Sequence, residues 1–198
     1  MCRREGTRSE RRIVSVFTEG EKTEPAYLRA LARLLDDNVV LTVDSRHGLD
    51  PLDLVHNAVG SRGGREADEL WCVFDVEYPQ PHERLQEACQ LADAKGIKLA
   101  ISNPCFELWL ILHFEDRTAF LDSATAEHRS RELDGRKGKH IDGQIYMPHL
   151  PDAIQRAEKL RLRHLGDGSP FPQDNPSSGM PGLISALGLA QESGPPSP

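Results

Sequence analysis

No apolar run in the sequence approaches the ~20 residues needed to span a bilayer, and the first residues lack the apolar core of a signal peptide. A cytoplasmic protein with no membrane contact is the expectation. Paired cysteines are also missing: Cys2, Cys72, Cys89 and Cys105 are far apart and form no C-x-x-C, which argues against zinc or redox chemistry. Cys72 and Cys105 sit inside apolar runs and are expected as buried thiols. Aromatic residues are scarce at 6%, and a lean apolar content of 38% predicts a folded domain with loop-rich margins. A basic surplus is absent too. The 24 lysines and arginines are outnumbered by 31 acidic residues, a net charge of −7, which excludes a protein holding nucleic acid by bulk electrostatics. It leaves open an enzyme that gathers carboxylates around a metal. There is no G-x-x-x-x-G-K-[ST], G-x-S-x-G or H-E-x-x-H, so the chain carries no P-loop, nucleophile elbow or zinc-protease helix. The eight histidines are scattered singly, a pattern of surface or core positions more than of a metal site.

What is present reads as one domain, the size expected of 198 residues. It is expected over 12–190, between an arginine-rich basic tail (1–11) and a Ser/Gly/Pro-rich disordered tail (191–198). Ile13–Phe17, Val39–Val43, Leu70–Phe74 and Ile97–Ile101 are short apolar or β-branched runs and predict strands. Between them, Pro25–Leu35, Pro51–Val59 and a segment with Leu85, Ala88, Cys89, Leu91 and Ala92 on one face predict helices, with Asp50 as a candidate N-cap. This alternation is the mark of a mainly parallel sheet of about four strands with helices on both faces. Phe106–Phe114 predicts a buried helix, 116–149 is irregular, Pro151–Leu165 predicts a helix, 166–182 a loop and Leu183–Leu189 a closing helix. The C-terminal part is therefore mostly helical.

In such sheets the working groups stand at the carboxyl ends of the strands. Two acidic clusters fall there: Glu19-Gly20-Glu21-Lys22-Thr23-Glu24 after the first strand, and Asp75-Val76-Glu77 after the third. If those strands are neighbours, the carboxylates converge. Hard cations such as Mg²⁺ take oxygen ligands, and an acid-x-acid pair at a strand end points both carboxylates to one side. Gly20 lets the backbone turn tightly and approach a phosphate. The arrangement suits metal-assisted phosphodiester chemistry. The structural alternatives are plain. Glu21 and Glu24 also read as first-turn charges beside Pro25, Ser102 as a helix cap, and Lys137 as a solvated side chain.

The strings Val16-Phe17-Thr18-Glu19-Gly20-Glu21-Lys22-Thr23-Glu24-Pro25-Ala26-Tyr27, Val73-Phe74-Asp75-Val76-Glu77 and above all S-N-P-x-F-E-x-W-x-x-x-H-F (102–114) resemble the RloB-like proteins. Weaker echoes continue at Arg136-Lys137-Gly138, 153–157 and 175–178, so the likeness spans 13 to about 188. It implies a single α/β domain of Toprim type, related to the OLD-family nucleases. It implies Glu19 as acid/base or metal ligand and Asp75 and Glu77 as ligands of Mg²⁺ (or Mn²⁺). The second motif, usually D-x-D, ends here in the longer arm of Glu77. Glu107 is then a further ligand, Lys137 a catalytic phosphate contact, and Gly20, Ser102 and Lys139 substrate contacts. The expected activity is that of a metal-dependent nuclease on DNA or RNA in bacterial anti-phage defence, with an ABC-type, OLD-like ATPase as partner and an oligomer left open. The rival reading is a non-catalytic subunit that docks on that ATPase. A phosphatase of the HAD type is disfavoured, because its D-x-D belongs on the first strand.

Overall fold

In the computed structural model, residues 11–46, 48–61 and 67–190 are described. The tails expected at 1–11 and 191–198 lie, apart from Arg11, outside them. Strands β1 (Arg12–Thr18), β2 (Val39–Ser45), β3 (Glu69–Asp75) and β4 (Lys98–Asn103) pair in parallel in the order β2-β1-β3-β4. A two-residue strand, β5 (Ser177–Ser178), adds to β4 in antiparallel sense and makes five strands in place of about four. Helices α1 (Thr23–Leu31), α2 (Pro51–Ser61) and α3 (Leu85–Lys95) make the crossovers. The chain runs outward from β1 to β2 and then crosses back to β3 on the other side of β1. The strand order thus reverses between β1 and β3, where the crevice of an open parallel sheet lies.

Right-handed crossovers in opposite directions place α1 on one face of the sheet and α2 and α3 on the other. Side chains alternate accordingly. Val14, Val16, Trp71 and Val73 pack with Tyr27, Leu28 and Leu31 of α1, with α4 (Phe106–Leu112), and with α6 (Leu150–Asp167) and α7 (Met180–Ala186). Phe17, Leu70, Cys72 and Phe74 pack with Leu54, Val55 and Ala58 of α2 and Leu85, Ala88 and Ala92 of α3. Burial on both faces explains why β3 reads as a continuous apolar run. Each large side chain sealed there contributes about 1.5–3 kcal/mol. Burial pushes the Cys72 thiol up to about 12, and Cys105 is likewise buried, as expected of inert thiols.

Several expectations need correction. The segment read as irregular holds α5 (Ser123–Asp134), capped by the Asp122 carboxylate accepting the Thr125 N–H at 2.7 Å and stopped by Gly135 at φ 72°. The sequence hides it because only Ala126 and Ser130 of its length are buried. The closing helix starts at Met180, not Leu183, and the first helix ends at Leu31 in a 3₁₀ turn that leaves Leu34 exposed. Asp50 does cap α2, its Oδ1 accepting the Asp53 N–H at 3.0 Å. Among the described residues, no helix is long and apolar enough to cross a membrane.

Candidate functional site

At the carboxyl ends of β1 and β3 the sheet opens into a cavity of about 380 Å³. Glu19 and Gly20 reach it from the end of β1, Asp75 and Glu77 from β3, Glu24 from the first turn of α1, and Glu107 from the first turn of α4. The β1–β3 pairing continues one residue past β1, where the Glu19 N–H donates to Val73 O at 3.1 Å, and the Glu19 side chain extends it, its Oε2 accepting the Asp75 N–H at 3.3 Å. Register alone therefore brings the two acidic clusters side by side. Glu19 Oε1 stands 3.1 Å from His82 Nε2. Beyond Asp75 the chain is held to the end of β4, with the Val76 N–H on Ser102 O at 2.9 Å and the Glu77 N–H on Pro104 O at 2.8 Å. Glu77 adopts φ 65°, left-handed backbone that costs a non-glycine residue about 1–2 kcal/mol. Such strain is typically kept where geometry serves a site.

Gly20 answers to a different constraint from the phosphate approach anticipated for it. Its N–H donates to Glu24 Oε1 at 3.1 Å, and a Cβ at this position would lie 2.1 and 2.3 Å from the two Glu24 carboxylate oxygens. The missing side chain makes room for a carboxylate.

The electrostatics of the ring are one-sided. Burial pushes the Glu19 carboxyl up to about 7, with the charges of Glu77 and Asp50 adding and the Asp75 N–H opposing. Glu24 is likewise pushed up to about 7, by burial and then by Glu107 and Glu19. Asp75 is raised well above the carboxylate range by burial and by the charges of Glu24, Glu19, Glu107 and Glu77. Burial raises Glu107 as well, with Glu127 adding and Arg136 opposing. Such shifts mark carboxylates withdrawn from water and crowded together, a field that a bound divalent cation would invert. Asp75 Oδ1 is sealed from solvent with no hydrogen-bond partner. An all-oxygen donor set with one orphaned carboxylate oxygen fits a hard cation in its chemistry. The donors ring the cavity without closing on one point: among the described residues, no group of three His, Cys, Asp or Glu side chains is drawn together to hold an ion.

A family model described as RloB-like protein matches residues 14–187. The chain belongs to the RloB-like family. The matched span takes in the whole cavity, from Glu19 to Lys139. No curated protein and no solved structure matches the chain.

Of the positions anticipated in this RloB-like chain, Glu19, Gly20, Asp75, Glu77, Glu107 and Lys139 meet at the cavity. Ser102 does not line it. It sits opposite Asp75 in the β3–β4 register, fully buried, its Oγ without a partner. Lys137 is exposed and does not line the cavity either. Its neighbour Arg136 turns inward instead, with only 6% of its side chain exposed. Arg136 donates to Ser130 Oγ at 2.5 Å and Gly138 O at 3.1 Å, pairs with Asp134, and stands 3.6 Å from Glu107 Oε1. The Tyr146 hydroxyl donates to the same Asp134 carboxylate at 2.5 Å. This buried network locks the loop carrying Lys139 against α4, and the Lys139 carbonyl accepts the Thr23 hydroxyl at 3.2 Å. Sequence reasoning missed His82, Glu127 and Arg136, and placed Glu24 in the acidic cluster without giving it a role in the site. Nothing in spacing separates Glu24 from an ordinary first-turn charge, or Arg136 from the solvated run around it.

Proposed function

We propose that this RloB-like protein is a metal-dependent nuclease with a Toprim-like site, hydrolysing phosphodiester bonds of DNA or RNA with Mg²⁺ or Mn²⁺. The observation that carries the reading is the ring of carboxylates at the β1 and β3 ends, closed by Glu24 and Glu107 around the unpartnered Asp75 Oδ1. Asp75, Glu77, Glu19 and Glu107 are the groups that would hold the cation. When bound, the ion supplies charge stabilisation at the phosphate and lowers the pKa of the attacking water. Glu19, at the end of β1 beside Asp75, would take up the proton of that water as its base, or else serve as a first ligand of the ion. The Asp75 N–H fixes the orientation of its carboxylate, and His82 Nε2 lies 3.1 Å from the other oxygen without a hydrogen bond to it. Lys139 at the rim, and Lys22 beside it, offer positive charge to the substrate phosphate. Arg136 acts through Glu107 and the loop, as a positioning residue.

We place this activity in bacterial anti-phage defence, with a partner ABC-type ATPase supplying nucleotide-driven control, since the chain has no P-loop. The test is incubation of the purified protein with Mg²⁺ or Mn²⁺ and labelled DNA and tRNA, with and without that ATPase. Cleavage abolished by Asp75→Asn supports the nuclease. No cleavage under any of these conditions overturns it in favour of a non-catalytic subunit docking on the ATPase.

A further inference from the structure

Immediately after Glu77 the chain sets an aromatic ring in solvent. Tyr78 is 37% exposed and Phe120 56%, although they come from segments far apart in sequence. Their rings meet edge to face, centroids 4.6 Å apart at 81°. An edge-to-face pair leaves ring faces open, because the partner covers only part of one. The backbone at Tyr78 and next to Phe120 is tied down. The Tyr78 N–H donates to Ser123 Oγ at 3.0 Å, and its carbonyl accepts the Ser123 N–H at 3.1 Å, which ties it to the first turn of α5. Next to Phe120, buried Leu121 is clamped by Asn175, whose Oδ1 accepts the Leu121 N–H at 2.9 Å while its Nδ2 donates to Leu121 O at 2.8 Å. Asn175 is in turn bonded to Asn103 at the end of β4. Tyr78 thus follows the end of β3 that carries Asp75 and Glu77, and the segment carrying Phe120 is tied to the end of the neighbouring strand β4.

We propose that Tyr78 and Phe120 form a stacking platform for an unpaired nucleobase, and that the substrate is a single-stranded or looped segment of nucleic acid. The inference rests on the nuclease reading of the adjoining cavity and names its substrate class. Tyr78 follows cavity-lining Glu77 directly in the chain, their Cα atoms about 3.8 Å apart, so the platform adjoins the Glu77 side of the cavity and is within reach of a base next to a phosphate bound there. The bases of a duplex are stacked on each other and offer no free face, whereas every unpaired base has one. The chemistry also answers the charge balance. With carboxylates around the cavity and a net charge of −7, little of the grip can come from bulk attraction, and stacking does not depend on charge. A protein partner is the weaker occupant. The two exposed ring surfaces amount to roughly 200 Å², against the ~800 Å² that each side of a stable protein interface buries.

Fluorescence anisotropy of a labelled single-stranded 12-mer, as DNA and as RNA, and of the matching duplexes, tests the platform with Ca²⁺ in place of Mg²⁺. The wild type binds a single strand more tightly than its duplex. Tyr78→Ala and Phe120→Ala each weaken single-strand binding by about 5- to 150-fold, the range of one lost base–aromatic stack. Neither changes duplex binding, and Tyr78→Phe keeps wild-type affinity. The hydrogen bonds that hold Tyr78 are made by its backbone, so these variants keep the fold, which circular dichroism checks. A 2-aminopurine placed in the strand is quenched on binding by the wild type and not by the alanine variants. Equal losses on single strand and duplex, no loss, or no nucleic-acid binding by the wild type would each overturn the platform. The nuclease reading is scored separately, by cleavage in Mg²⁺ or Mn²⁺. Cleavage with unchanged single-strand affinity in Tyr78→Ala sinks the platform alone; selective binding without cleavage sinks the nuclease alone.

Discussion

Replacing Arg136 by alanine strikes the buried polar network that supports the site. The side chains of Arg136 and Asp134 are only 6% and 2% exposed, and the pair is completed by Ser130 Oγ, Gly138 O and the Tyr146 hydroxyl. In Arg136→Ala the Asp134 carboxylate keeps the Tyr146 hydroxyl and loses its counter-charge, and Glu107 loses the cation that opposes its raised pKa. Breaking a buried ion pair from one side costs about 3–5 kcal/mol, because the surviving charge is stranded. That is a large share of the ~5–15 kcal/mol that holds a domain together. Urea unfolding followed by tryptophan fluorescence measures it, since Trp71 and Trp109 are both buried. Arg136→Lys is expected to recover only part of the loss, an ammonium being unable to serve Asp134, Ser130 and Gly138 with one planar fork. Adding Asp134→Asn to Arg136→Ala removes the stranded charge and makes the double variant more stable than Arg136→Ala alone. A loss below about 1 kcal/mol in Arg136→Ala, or strict additivity in the double variant, would refute the reasoning.

Further outcomes follow from the glycines and from the far end of the sheet. A Cβ at Gly143 would lie 2.5 Å from Ala30 Cβ and 2.9 Å from Ala26 O, where backbone must move, so Gly143→Ala destabilises by about 1–3 kcal/mol. Gly20→Ala meets only the carboxylate end of Glu24 and leaves urea stability nearly unchanged while displacing that carboxylate and weakening Mn²⁺ binding. Equal destabilisation by the two substitutions would contradict this contrast. At the opposite end of β3, burial tends to raise Glu69, but hydrogen bonds from Lys98, Arg12 and Trp71 and the Arg12 charge outweigh it and hold the carboxyl down to about 2. A depressed carboxyl contributes stability that is full above its unfolded value of about 4.5 and is lost as pH falls toward about 2. Arg12 and Lys98 are half exposed, so screening leaves a gain on the order of 1 kcal/mol. Glu69→Gln is therefore expected to lower urea stability at pH 6 and by clearly less at pH 2, and an equal loss at both would rule the linkage out.

The parallel core of the fold was legible because its strands are buried on both faces, so that β1, β3 and β4 announce themselves as apolar runs. The acidic clusters were legible for a related reason. Asp75 follows five apolar residues, and a carboxylate at such a place calls for a partner or a cation. Helix α5 was not, since its outer face is held by ion pairs, Arg129 with Glu115 and Arg131 with Glu127, and it buries too little to set an apolar period. Strand β5 has two residues and no periodicity at all. Inside the site the limit is finer. Glu24 reaches the cavity only because residue 20 has no side chain, and in the run 136–139 the inward residue is Arg136, not Lys137, a choice made by the chain's path after the Gly135 cap. Sequence spacing places charges on a segment; it does not say which of two neighbours turns inward.

The central claim is that the carboxylate ring at the β1 and β3 ends is a divalent-cation site, and titration calorimetry with Mn²⁺ and Mg²⁺ tests it most directly. The wild type is predicted to bind, and Asp75→Asn, which neutralises the unpartnered carboxylate at the centre of the ring, to lose about tenfold or more in affinity with its fold intact. No binding of either ion by the wild type, or the same affinity in Asp75→Asn, would contradict it.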